Sequence, residues 1–146
     1  MDCNIRKALL GDVAGIVKIE NACFSTPWSE ASLKESLENE NSHFYLAEAD
    51  GETAGYIGVQ IFSGEGYVTN VAVLPEYRRQ GVATALINAA LENDMEFLTL
   101  EVRESNVPAI ELYKSLGFEK VGTRPNFYRE PVENAILMTK YLKDKI

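Results

Sequence analysis

Two glycine turns cut residues 43–74 into three strand-length runs, which commits the middle of the chain to an antiparallel meander. The runs are HFYLAEA (43–49), TAGYIGVQIF (53–62) and YVTNVAVL (67–74), rich in the aromatic and β-branched residues that suit a pleated surface. Asp50-Gly51 is a hairpin signal, because the tight turn it favours needs positive φ. SGEG at 63–66 supplies the second turn.

Around the meander, strands and helices alternate. NIRKAL (4–9) reads as a first strand. From Asp12, the residues Val13, Ile16, Val17 and Ile19, then Cys23 and Phe24, recur at helical spacing, and Pro27 ends that helix. Ser29 reads as the N-cap of a second helix, EASLKESLEN. Val82, Ala85, Leu86 and Ala89 give GVATALINAALE a helical stripe. FLTLEV (97–102) is a short strand. NVPAIELYKSLGF is a helix with Ala109, Leu112, Tyr113 and Leu116 on one stripe and Gly117 as its stop. EKVGTR and AILMTKYL read as two last strands. The order β-α-α-β-β-β-α-β-α-β-β predicts an α/β fold: a mixed sheet with helices packed on its faces.

The 146 residues are expected to form one domain, 1–146, since no repeat, low-complexity stretch or linker interrupts them. The formal net charge of −8 argues against a basic nucleic-acid groove. It suits a cationic acceptor, such as an amine or a basic protein tail, or it serves solubility alone. Cys3 and Cys23 lie among apolar neighbours, without disulfide-framework spacing, and are expected to be buried free thiols. A single histidine, His43, and no Cys/His cluster argue against a zinc site, so no metal is expected. The N-terminus lacks a signal-peptide pattern and no apolar stretch reaches membrane length, so the expectation is a cytoplasmic protein without a membrane partner. The oligomeric state is not encoded legibly.

The segment VAVLPEYRRQGVATALI (71–87) runs strand, short loop, glycine, helix. A helix start presents unpaired N–H groups and the positive end of the helix dipole, which together attract phosphate. Gly81 and Ala83 let the backbone approach a bulky anion, Thr84 adds a hydroxyl, and Arg78 and Arg79 add charge-assisted donors. No Gly-Lys-Ser/Thr and no Gly-x-Gly-x-x-Gly after the first strand are present, which disfavours nucleoside triphosphatase and dinucleotide folds. The competing reading is a capped surface helix with solvated arginines.

The spacing Arg78-x-x-Gly81-x-Ala83 resembles the pyrophosphate loop of the GNAT family of N-acetyltransferases, and NVAVLPEYRRQG resembles that family's fourth strand and loop. The resemblance covers the whole chain. It implies a single-domain GNAT fold, a mostly antiparallel sheet of about seven strands flanked by four helices, and acetyl-coenzyme A as cosubstrate. Within the family the chain is most similar to enzymes that acetylate the N-terminal alanine of a small-subunit ribosomal protein. ACFSTPWSE, LEVRESNVPAIELYKSLGF and GTRPNFY carry that likeness.

The reaction needs a base for a largely protonated amine, with pKa about 8, and an acid for the leaving thiolate. Glu101 alternates with the apolar Leu98, Leu100 and Val102, and by pattern alone a solvated strand residue is the simpler reading. The resemblance implies that Glu101 is the general base. Tyr113 sits on an apolar stripe, where core packing is the default, and the resemblance implies the general acid. Asn106 reads as a helix N-cap, and by resemblance also as a cofactor contact. The resemblance further implies cofactor contacts along Val71, Ala72 and Val73, whose strand is splayed by a bulge, and at Arg78, Arg79, Gln80, Gly81, Val82, Ala83 and Thr84. Trp28, Phe127 and Tyr128 are candidates for an acceptor groove, though aromatics there are as often core. Glu30 and Glu133 read as solvated acids or as attractors of a basic tail, and FYREPVENA as the loop that sets acceptor choice. The competing functions are acetylation of a small amine, such as a polyamine or drug, and a non-catalytic acetyl-coenzyme A-binding module.

Overall fold

The computed structural model describes residues 3–142 and orders them as β1 (Asn4–Lys7), α1 (Val13–Cys23), α2 (Glu30–Glu38), β2 (Ser42–Ala49), β3 (Glu52–Phe62), β4 (Glu65–Val73), α3 (Val82–Ala90), β5 (Phe97–Arg103), α4 (Val107–Ser115), β6 (Glu119–Arg129) and β7 (Val132–Tyr141). This is the predicted order. The seven strands form one sheet in the sequence β1-β2-β3-β4-β5-β7-β6. Every neighbouring pair is antiparallel except β4–β5, which is parallel.

That one parallel junction positions the functional site. β4 and β5 pair only from Glu65–Tyr67 to Phe97–Thr99. Beyond it β5 stays paired with β7 as far as Arg103–Ala135, while β4 stays with β3 as far as Val73–Gly55. The register of β3 with β4 slips at Thr69, because Val59 faces Val68 whereas Gly58 faces Asn70. An extra residue bends its strand and raises local twist. The two strands therefore part, leaving a cleft between their C-terminal halves.

The helices cover the sheet through their apolar stripes. On α1, Val13, Ile16 and Ile19 are buried. Gly15 lies so close to the sheet that a Cβ there would sit 3.0 Å from Thr53 Oγ1. α3 buries Val82, Leu86, Ile87 and Ala90. Tyr56 reaches α1 through Glu20, whereas Tyr45, which pairs with Ile57, meets Asn93 just beyond α3. Successive strand residues face opposite sides, so α1 and α3 sandwich the sheet. Ser29 caps α2 by accepting a 3.1 Å bond from Ser32 N–H, as its position predicted.

Three expectations change. The first strand stops at Lys7 instead of Leu9, because Leu9 N–H donates to Asp12 Oδ2 at 2.7 Å and turns the chain into a short 3-10 turn. Cys3 and Cys23 are free but only half-buried. The FYREPVENA segment is not an open loop. β6 and β7 continue through it and meet in a tight turn at Glu130–Pro131. Pro125 is accommodated because the ladder is interrupted between Arg124 and Tyr128, where no N–H is demanded of it.

Candidate active site

A cavity of about 550 Å³ occupies the β4–β5 cleft. Its β4 wall runs from Val68 to Val71, and its β5 wall carries Glu101, Val102 and Arg103. Asn106 and Tyr113 enter from α4 and the turn before it. The segment between α1 and α2 contributes Phe24, Ser25, Thr26 and Trp28, and the β6–β7 hairpin contributes Phe127, Tyr128 and Glu130. Of the residues singled out from the sequence, Trp28, Val71, Glu101, Asn106, Tyr113, Phe127 and Tyr128 thus meet around one space. Trp28 and Phe127 are well exposed, so neither is plain core.

Glu101 follows from strand alternation: Leu98, Leu100 and Val102 are buried and Glu101 is exposed to the cavity. Tyr113 is only 7% exposed, packs at 5.9 Å against Phe118, and still lines the cavity. No protein group among the described residues hydrogen-bonds its hydroxyl. Burial, with a smaller contribution from Tyr128, pushes its pKa up to about 12, so the hydroxyl keeps its proton at neutral pH. Tyr128 is likewise raised to about 12, chiefly by burial and next by Glu101. Asn106 accepts from Ala109 N–H at 3.3 Å, the predicted N-cap, and faces the cavity as well.

The arginine–glycine turn lies beyond the C-terminal end of β4, outside the cavity wall. Gly81 adopts φ 82°, Arg79 adopts φ 63°, and a Cβ on Gly81 would meet nothing within 4 Å. No side chain caps α3. The turn therefore offers backbone donors to open space, as an anion cradle must. The two arginines differ. Arg78 Nε donates to Val73 O at 2.9 Å, and Nη2 lies 3.6 Å from Cys23 Sγ. Arg79 is exposed and engages no protein group among the described residues. Arg78 is thus tied to the end of β4, whereas Arg79 is left facing open space. Gln80 Nε2 caps the carbonyl of Glu76 at 3.2 Å. Ala72 and Val73 are buried and lie outside the cavity wall.

Three residues at the site, Glu20, Asn70 and Arg103, escaped the sequence reading. Glu20 is 1% exposed and lines the cavity. It accepts from the Tyr56 hydroxyl at 2.5 Å and from Trp28 N–H at 2.8 Å. Its signal was present, since Glu20 stands four residues after Ile16 on an apolar helix stripe. Asn70, 7% exposed, stands at an inward strand position of β4. Arg103 hydrogen-bonds the carbonyls of Pro131 and Glu130 and pairs with Glu133 at 3.2 Å. Glu133, which the sequence left as either a solvated acid or an attractor of a basic tail, also accepts from Ser105 N–H at 2.5 Å and is held by the protein rather than simply solvated.

The family follows from sequence as well as shape. A profile of the Acetyltransferase (GNAT) family matches residues 13–118, and the chain belongs to that family. It is 39% identical over 139 residues to a candidate [ribosomal protein bS18]-alanine N-acetyltransferase of Bacillus subtilis (strain 168), covering 92% of each chain. An N-alpha-acetyltransferase of Sulfurisphaera tokodaii is 38% identical, over 92% of this chain and 90% of its own. The crystal structure of the ribosomal-protein-S18-alanine N-acetyltransferase from Escherichia coli superposes with a TM-score of 0.91 at 30% identity, covering 99% of this chain and 97% of that one. The protein is an N-acetyltransferase with a single-domain GNAT fold. No helix among the described residues is long and apolar enough to cross a membrane.

Proposed function

We propose that this enzyme moves the acetyl group of acetyl-coenzyme A directly to the α-amino group of an N-terminal alanine on a basic ribosomal protein of the small subunit, in the cytoplasm. The observation that carries the reading is that Glu101 and the proton-retaining Tyr113 line the same cavity. Glu101 accepts a proton from the acceptor ammonium, directly or through water. The freed amine forms its C–N bond at the thioester carbonyl as the C–S bond breaks. Tyr113 gives its proton to the departing thiolate and regains one from solvent. Arg79, the Gly81 turn and the first N–H groups of α3 suit the diphosphate of the cosubstrate, whose arm would lie along the parted edge of β4 at Val71. The net charge of −8 favours a basic protein tail as acceptor. The similarity to bS18-alanine N-acetyltransferases over nine-tenths of the chain supports that choice.

The test is a substrate comparison. Short peptides beginning Ala-Arg are expected to be acetylated with release of coenzyme A, and the chain is expected to modify small-subunit ribosomal protein N-termini detected by mass spectrometry. Acetylation of spermidine with no turnover of such peptides would replace this reading with a small-amine acetyltransferase.

A further inference from the structure

Two buried side-chain polar atoms among the described residues have no hydrogen-bond partner: Ser42 Oγ and Asn70 Oδ1. Ser42 lies on β2, away from the cavity, whereas Asn70 lines the cavity that holds Glu101 and Tyr113. A buried acceptor left without a donor costs stability, and such a group in a native site calls for a reason.

The surroundings of Asn70 fix what it can bind. It follows the Thr69 bulge, at the point where β4 leaves β5. Behind it stands Tyr56, whose hydroxyl hydrogen is committed to Glu20 at 2.5 Å. The hydroxyl oxygen can therefore only accept from Asn70. The Asn70 side chain bonds toward Tyr56 and opposes the rise in its pKa, the sign expected of an N–H facing that oxygen. Nδ2 is thus oriented by Tyr56, and Oδ1 is left as an acceptor with no protein donor. Glu20 in turn holds Trp28 N–H, so one row of polar groups links Asn70 to the aromatic wall of the cavity.

We propose that Asn70 is an acceptor-binding residue whose Oδ1 takes an N–H of the incoming amine; this rests on the acetyl-transfer reading of the same cavity. A neutral amide can orient an ammonium or amine without competing for its proton, which leaves deprotonation to Glu101. The row Glu20–Tyr56–Asn70 keeps that oxygen free of protein partners, and the site carries its cost until the acceptor arrives.

The signature separates binding from structure. Asn70→Leu, close in volume and apolar, removes the unpartnered acceptor, so its Tm is expected to equal or exceed that of the wild type. The same variant is expected to raise the KM for an Ala-Arg peptide about tenfold, the loss of one good hydrogen bond, with the acetyl-coenzyme A Kd by calorimetry unchanged. Asn70→Ala, compared on KM and acetyl-coenzyme A Kd alone because the cavity it leaves lowers Tm by itself, serves if the leucine variant does not fold. If the wild type acetylates spermidine and not the peptide, the proposed protein acceptor is wrong, and the same KM comparison made with spermidine still decides the role of Asn70. A KM within twofold of wild type overturns the inference. So does a rise in KM of Asn70→Leu that comes with a lower Tm, or of either variant that comes with weaker acetyl-coenzyme A binding.

Discussion

The guanidinium of Arg103 lies 4.3 Å from the centre of the Tyr128 ring. The same group hydrogen-bonds the carbonyls of Glu130 and Pro131, so a single side chain on β5 fastens the β6–β7 hairpin over the cavity. The hairpin is also touched from the other wall, where Ser25 Oγ donates to Glu130 O at 3.2 Å. Arg103→Ala should cost on the order of 1–2 kcal/mol, from the partly exposed stacking and two hydrogen bonds. It should raise the KM for the acceptor and spare acetyl-coenzyme A binding, readable from urea unfolding beside steady-state kinetics. Arg103→Lys should recover little, because a point charge cannot bond two carbonyls and stack at once.

Acid should loosen the same clasp. Glu133 has its pKa lowered from 4.5, first by the Ser105 hydrogen bonds and then by Arg103. A carboxylate with a depressed folded pKa stabilises the fold above its unfolded value, and that contribution is lost as pH falls through the folded value. Amide protection factors in the hairpin, which discount the acid slowing of intrinsic exchange, should therefore fall in the wild type as acid protonates Glu133. In Glu133→Gln, protection there should already be lower at pH 7 and should change less with acid.

Arg78 and Arg79 adjoin in sequence and should separate by experiment. Arg79 faces open space beside a left-handed turn, so Arg79→Ala should raise the KM for acetyl-coenzyme A about tenfold, the loss of one charge-assisted bond. Arg78 holds the Val73 carbonyl, so Arg78→Ala should lower Tm more than it changes cosubstrate affinity. Thermal melts and calorimetric titration of both variants check this.

Much of this layout is legible in the sequence. Gly51 and Gly64, both at positive φ, mark the turns of the meander, and Gly81 marks the start of α3 as the Arg-x-x-Gly spacing implied. Glu101 could be placed because strand alternation is strict. What the sequence concealed is tertiary. The parting of β4 from β5 depends on a register slip at Thr69, and nothing in YVTNVAVL distinguishes a bulged from a straight strand. The hairpin beyond Arg124 looked like a loop because Pro125 and Pro131 break the alternation, while Arg103, distant in sequence, holds it as a strand pair. The different settings of Arg78 and Arg79 were hidden too, because proximity to Gly81 said nothing of where either side chain turns.

Asn106 combines a cap with a place on the cavity wall. Asn106→Ala should cost about 1 kcal/mol of stability through the lost cap. Asn106→Asp should keep the cap and, if the amide N–H groups serve the cosubstrate, still raise its KM. Comparing the two by chemical denaturation and kinetics divides the structural role from the binding role.

The proposed transfer turns on Glu101 taking the acceptor's proton. Its most direct measurement is kcat/KM of Glu101→Gln on an Ala-Arg peptide, paired with the acetyl-coenzyme A Kd of the same variant. A fall of about 10²–10⁴ is expected, the range for a lost general base, with an unchanged Kd and recovery as pH rises toward the amine's own pKa. A fall of less than about threefold, too small for lost proton transfer, would contradict it.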